Sequence, residues 1–303
     1  MTEVLTRTDY DREYAGTMPF IRKPAAAGSG MGMAVKDGMP PVLQFPALSA
    51  CGGIRHAVTT RAGGVSEGHL ASLNLSFSRG DREENVRENF RRTAALFGVP
   101  ESRFVFSDQT HTANVRFVTE EDAGKGLTRP RDYTDVDGLV TNVPELVLSV
   151  FTADCVPVFL YDPVRRVIGL VHSGWRGTVS RIGDAAIRLM RETCGTDPAD
   201  LVCAVGPSIC RDCYEVSDDV AEAFAAEFAG HTGEILEEKG GGKYQLDLWE
   251  ANRIVLEEAG VPAGRISVTD ICTCCNPQLL FSHRATGGKR GNLGAFLMLE
   301  GSR

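Results

Sequence analysis

Residues 151–178 read FTADCVPVFLYDPVRRVIGLVHSGWRGT. Two runs rich in β-branched and aromatic side chains, Val156–Tyr161 and Val167–His172, flank Asp162-Pro163. Such runs favour strands and Asp-Pro favours a tight turn, so the stretch predicts an antiparallel hairpin. Strands joined this closely argue against a regular βαβ alternation and for the α+β class. The hairpin also carries chemistry. Cys155 stands at the start of its first strand and His172 ends the second, so a soft thiol and an imidazole share one end. Gly174-Trp175-Arg176-Gly177 follows them.

Working outward, further strand-like runs occur at Val115–Thr119, Leu146–Thr152, Leu201–Val205, Arg265–Thr269 and Gly294–Leu299. Four amphipathic helices lie among them. One begins near Asp81, where Glu84 suggests a capping box, and stops at Gly98 with Pro100 beyond. A second follows Gly177, with Val179, Ile182, Ala186, Leu189 and Met190 on one face, and ends near Gly195. SDDVAEAFAAEFAG (217–230) and DLWEANRIVLEEAGVP (247–262) supply the others. Residues 1–41 are polar or Gly/Ala/Met-rich without periodicity and are expected to form a flexible tail. Residues 42–303 are expected to form one catalytic domain.

Composition narrows the function. The 303 residues are 43% hydrophobic and 24% charged, which suits a globular chain without disulfide staples. A net charge of −8 argues against non-specific nucleic-acid binding. There is no apolar run long enough to span a membrane and no apolar core of a secretory signal, so the expected compartment is the cytoplasm. In that setting the nine cysteines are thiols or metal ligands rather than disulfides.

Cys155 and His172, side by side on a hairpin, suit either a nucleophile with its base or two ligands of one metal; a structural thiol beside a core histidine is the plainer reading. His111, in SDQTHTANV, adds a third donor just before a strand. Two imidazoles and one thiolate would fill three zinc positions and leave the fourth for water, as in catalytic zinc sites. The glycines of Gly-Trp-Arg-Gly permit a tight turn into a helix N-terminus, where Arg176 could grip an anion. Arg61, in TTRAGGVSEG, offers a similar place. Cys210/Cys213 and Cys272/Cys274/Cys275 each contain a C-x-x-C pattern; a tetrathiolate zinc site and unpaired loop thiols are both open readings.

Taken in order, TTRAGGVSEG, SLNLSFSRGD, NVRENFRR, DQTHTANV, DVDGLVTN, TADCVPVFLYDP, GLVHSGWRGTV, VGPSI, CYEV, LDLWEANR and FSHR resemble the YfiH-like family. That family is also called the laccase-domain or multicopper polyphenol oxidoreductase family, and some members are named peptidoglycan editing factor. The resemblance runs from about Pro46 to the C-terminus. It implies mixed β-sheets packed together with helices on the outside. It also implies one zinc ion on His111, Cys155 and His172, and purine nucleosides with phosphate as substrates. Family members phosphorolyse adenosine, inosine and methylthioadenosine and deaminate adenosine. In this chain Thr112 stands where the family often has Gly, and Asp212-Cys213 where it commonly has two cysteines.

On this reading Arg61 and Arg176 orient phosphate, Asn74 hydrogen-bonds ribose or base, and Asp137 or Asp154 orients a ligand or moves a proton. Copper is not expected, because six histidines are too few for a multicopper centre. The alternatives are a Cys–His hydrolase acting in peptidoglycan precursor editing and a laccase-like polyphenol oxidoreductase.

Overall fold

The hairpin forms, and it lies at the centre of its sheet. The structure, a computed structural model, describes residues 19–24, 30–34 and 38–301. Strands β8 (Val156–Asp162) and β9 (Val167–Ser173) pair antiparallel, with Pro157 opposite His172 and Asp162 opposite Val167. The Asp162 side chain closes the turn by accepting from the Val164 and Arg165 amides. Their six-stranded sheet runs β14 (Ile266–Val268), β10 (Val202–Val205), β8, β9, β6 (Gly138–Thr141), β5 (Val115–Phe117). A second six-stranded sheet runs β1 (Gly32–Ala34), β2 (Val42–Gln44), β3 (Ile54–Thr59), β15 (Leu293–Leu299), β7 (Val147–Thr152), β4 (Phe104–Phe106). A small third sheet orders β11 (Glu215–Ser217), β13 (Lys243–Leu246) and β12 (Leu236–Gly240).

Alternating side chains place these layers. In β15, Leu293, Ala295, Leu297 and Leu299 face the first sheet across the main core, joined there by Phe159, Ile168 and Leu170. Phe296 and Met298 point the other way. The period of two therefore builds a sheet-on-sheet sandwich with apolar outer faces that helices must cover. Helix α1 (Pro46–Cys51) adds Leu48 to the main core. Helix α2 (Glu83–Phe97) covers one outer face with Val86, Phe90, Ala94 and Phe97. The other face lies under α3 (Trp175–Val179), α4 (Ile182–Cys194), α5 (Asp218–Glu227), α6 (Thr232–Ile235), α7 (Leu248–Glu258) and the third sheet. Helix α8 (His283–Thr286) is a single turn before β15. The class is α+β, as predicted. Among the described residues no helix is long and apolar enough to cross a membrane.

Local signals held in part. Asp247 caps α7 by accepting from the Glu250 amide at 3.0 Å, and Gly98 and Gly195 end their helices in left-handed geometry. The capping box at Asp81 does not form. That carboxylate instead takes Ser66, Asn74 and Asn85, and Arg82 becomes the N-cap. The boundary at residue 42 also needs correction. Gly32–Ala34 pairs with Val42–Gln44, Met31 is buried, and Arg22 bridges Ile271. These pieces are too short to show a period, one being a three-residue strand and the other a single bridge. The rest of the expected tail, residues 1–18, 25–29 and 35–37, lies outside the described residues.

Candidate metal centre and its two cavities

Three side chains from separate segments converge at one end of the β8–β9 hairpin. Donor atoms of His111, Cys155 and His172 all lie within 4.8 Å of one another. The His111 and His172 rings meet edge to face, with centroids 5.0 Å apart. His172 comes from the end of β9 and Cys155 from the residue before β8. His111 sits in the loop between β4 and β5, at a φ of 69° that side-chain-bearing residues seldom adopt.

Asp137, the residue before β6, holds two of the three. One carboxylate oxygen meets His172 Nδ1 at 2.7 Å. The other accepts the amides of Thr110 and Thr112 at 2.9 and 3.0 Å, on either side of His111. Thr112 also donates its hydroxyl to Asp137, so the threonine found in place of the family's frequent glycine is used in this loop. A carboxylate that fixes one ring nitrogen leaves the other free to ligate, which is the usual outer support of a metal-binding histidine. Asp137 is fully buried. Burial raises its pKa, but the His172 ring and the two amides more than offset this and hold it down to about 2.

Cys155 and His172 perturb each other strongly. Burial pushes the thiol up, yet the imidazoles of His172 and His111 bring it down to about 6. Burial pushes His172 down, yet Cys155 and Asp137 raise it to about 9. The neighbouring imidazoles thus favour the thiolate of Cys155, the form that binds metals or attacks carbon. Gly174 gives room for the approach. A Cβ there would stand 3.1 Å from Cys155 Sγ and 3.1 Å from His111 Cδ2. Its φ of −73° needs no glycine, so the constraint is space alone.

Asp154 stands just before Cys155 with φ 89°. Its carboxylate accepts from Thr273 Oγ1 at 2.6 Å and from the Arg284 amide at 2.7 Å. Both aspartates are therefore tied into fixed hydrogen bonds beside the donors.

The centre lies between two cavities. The larger, about 450 Å³, is lined by His111, Cys155 and His172 together with Phe77, Arg79, Phe106, Gln109, Arg131, Phe151, Arg290 and Asn292. The smaller, about 170 Å³, is lined by Asp154, Trp175, Arg176 and Tyr214, with His111 and Cys155 shared. Arg176 is exposed and lies over the Trp175 ring at 4.2 Å, so the tryptophan forms a wall and seats the guanidinium.

Two predicted binding residues fall elsewhere. The Arg61 guanidinium is buried, donates to the carbonyls of Ala71, Pro277 and His69, and lies over Phe281. It lines neither cavity. Glycines around an arginine suggested an anion loop, but the arginine instead satisfies carbonyls of distant chain segments. Asn74 is fully buried and lines neither cavity. It accepts from the Asn292 amide at 3.1 Å and donates to Ser76 and Asp81.

The cationic residues that do line the larger cavity are Arg79, Arg131 and Arg290. Arg131 donates to Ser107 and Asp108. Arg290 is buried, its pKa lowered to about 10 by that burial, and its Nε has no partner among the described residues. It comes from the Lys289-Arg290-Gly291 loop, which the sequence could flag as basic but not aim. Gln109 is structural: its side-chain amide both donates to and accepts from the Phe151 backbone, beyond the point where β4 stops pairing with β7.

A two-sheet α+β sandwich with an open two-histidine, one-cysteine donor set at a sheet end is the class that fold and site define. Residues 55–300 match the family described as multi-copper polyphenol oxidoreductase laccase, and the chain belongs to that family. The purine nucleoside phosphorylase YlmD of Bacillus subtilis (strain 168) is 38% identical over 251 residues, covering 80% of this chain and 87% of that protein. The adenosine deaminase RL5, from an unknown prokaryotic organism, is 34% identical over 240 residues, covering 79% and 91%. The crystal structure of the Bacillus licheniformis hypothetical protein YfiH is similar with a TM-score of 0.83 and 33% identity, covering 88% of this chain and 99% of that one.

Proposed function

We propose that this chain is a zinc-dependent purine nucleoside phosphorylase acting on adenosine, inosine or methylthioadenosine. The observation that carries the reading is the convergence of His111, Cys155 and His172 in the lining of the larger cavity. The donors suit zinc: one thiolate and two imidazoles, one of them oriented by a buried carboxylate. Zinc held there would supply Lewis acidity beside the substrate and lower the pKa of a water toward neutrality.

The chain's own residues have separable tasks. In phosphorolysis a phosphate oxygen forms a bond to the ribose anomeric carbon. The bond from that carbon to the purine nitrogen breaks, and the base leaves with the electron pair and takes up a proton. Arg290, buried and with Nε unpartnered, and exposed Arg79 are suited to hold the phosphate and its developing charge. Phe77, Phe106 and Phe151 offer apolar faces to a base. Asp137 keeps His172 in one tautomer and the His111 loop in place. Asp154 is assigned to holding the turn before Cys155.

Deamination of adenosine is a second activity of the same site, favoured by the relative named adenosine deaminase. There a water oxygen bonds to the purine carbon bearing the amine, and ammonia leaves. A Cys–His hydrolase, as in cell-wall precursor editing, would use Cys155 as nucleophile, His172 as base and Asp137 to orient it. The third donor, His111, favours the metal reading. Copper-based polyphenol oxidation finds less support, because His56 is bonded to the Phe45 amide and His231 to Glu234, away from this cluster.

The test is a nucleoside panel with and without phosphate, analysed for free base and for inosine. Free base that appears only with phosphate supports phosphorolysis. Free base released equally without phosphate contradicts it.

A further inference from the structure

A second cysteine cluster lies outside the proposed reaction. Cys210 and Cys213 bracket a short turn after β10, and Cys272 and Cys275 bracket another after β14. The four sulfurs lie within 4.8 Å of one another, with Cys213 and Cys275 at 3.5 Å. A disulfide needs about 2.05 Å. Zinc–sulfur bonds of about 2.3 Å in a tetrahedron put sulfurs roughly 3.8 Å apart. The backbone supports sulfur as an acceptor: the amides of Cys210 and Cys275 both approach Cys272 Sγ, at 3.3 and 3.4 Å. The second of these spans a C-x-x-C turn, so both turns fold their sulfurs toward one point. Neither of the two cavities beside the His111–Cys155–His172 group is lined by any of the four.

We infer that Cys210, Cys213, Cys272 and Cys275 bind a second zinc ion, in a closed tetrathiolate site that holds the loops supporting Cys155. Four protein ligands leave no open position, the mark of a structural site. The cluster joins two loops that both reach the catalytic hairpin. Beside Cys210, the Ile209 amide donates to the Asp154 carbonyl at 3.0 Å. Beside Cys272, Thr273 donates its hydroxyl to the Asp154 carboxylate. Ser208 and Cys272 form the bridge between the loops. Cys213 leads into Tyr214, which lines the smaller cavity. Lys23 pairs with Asp212 at 2.8 Å, a cation beside a site whose bound form is anionic. Cys274, between the last two ligands, is not part of the set.

The test is zinc content of the full-length protein, with X-ray absorption at the zinc edge. Wild type should carry two zinc ions per chain, one for each ligand group. Cys155→Ala should retain one, with a sulfur-only shell near 2.3 Å. Cys213→Ser with Cys275→Ser should lose one, and Cys274→Ser should lose none. Because the Cys155→Ala spectrum is read on intact loops, misfolding of the double variant would not rescue the inference. A Cys155→Ala protein without zinc, or with nitrogen in the remaining shell, overturns it. So does finding these four cysteines oxidised in pairs when thiols are counted after denaturation. Since the readout is metal and not turnover, it stands or falls apart from the nucleoside assignment.

Discussion

Two cysteine-bearing clusters are joined through Asp154 in this molecule, and their contrast separates chemistry from construction. His111, Cys155 and His172 are three donors of mixed kind, facing a cavity of about 450 Å³. Cys210, Cys213, Cys272 and Cys275 are four donors of one kind, turned inward between two loops. The first set is supported from behind by a buried carboxylate and leaves room for a substrate. The second is supported by backbone amides. Residue type alone would not have ranked them; the count of donors and the open side do.

The largest expected effect tests that division of labour. Cys155→Ala should lower nucleoside turnover by at least about 10³-fold while leaving thermal unfolding near wild type. Cys213→Ser with Cys275→Ser should instead lower the unfolding temperature, by roughly 10 °C, with turnover lost only as the fold is lost. Paired melting curves and kinetics check both, and a reversed pattern would exchange the roles assigned to the clusters.

Asp137→Asn comes next. It keeps the shape but removes the charge that holds His172 in one tautomer, so metal affinity or turnover should fall about 10- to 100-fold. A competition assay with a zinc-sensitive dye gives the affinity, and an unchanged value would mean that Asp137 does not set the ligand. The smallest effect is expected from Gly174→Ala. The added methyl meets Cys155 Sγ and His111 Cδ2 at 3.1 Å, so His111 must shift by a few tenths of an ångström. Turnover should fall by about tenfold, with no comparable change in zinc at the tetrathiolate cluster, both measured on one preparation.

What could be read beforehand follows the range of the interactions. The hairpin was legible because Asp162-Pro163 and two β-branched runs are local signals. So was α7, whose apolar face and ends lie within one segment; the helix expected from Gly177 to Gly195 instead breaks at Arg181, which takes a φ of 56°, so Val179 belongs to α3 and only Ile182–Cys194 forms α4. The three donors were legible because each stands beside a strand that local pattern predicts. Three-residue strands such as β1, β4 and β11 were not, since pairing with distant partners and not their own composition makes them strands. Arg61 was misread for the same reason: the carbonyls it serves belong to Ala71, His69 and Pro277, and only the fold brings Pro277 near. Conversely, Arg79 and Arg290 lie more than two hundred residues apart in sequence yet line one wall. The tetrathiolate pattern was visible as two C-x-x-C pairs, but their convergence depends on β10 and β14 running side by side, parallel.

The central claim is that the open donor set serves phosphate-dependent cleavage of purine nucleosides. Its most direct test is to follow free base from adenosine and inosine as phosphate is raised from zero, in wild type and Cys155→Ala side by side. The account predicts base release that rises from nil with phosphate, matched by ribose 1-phosphate, and lost in the variant. Base release independent of phosphate, or undiminished without Cys155, would contradict it.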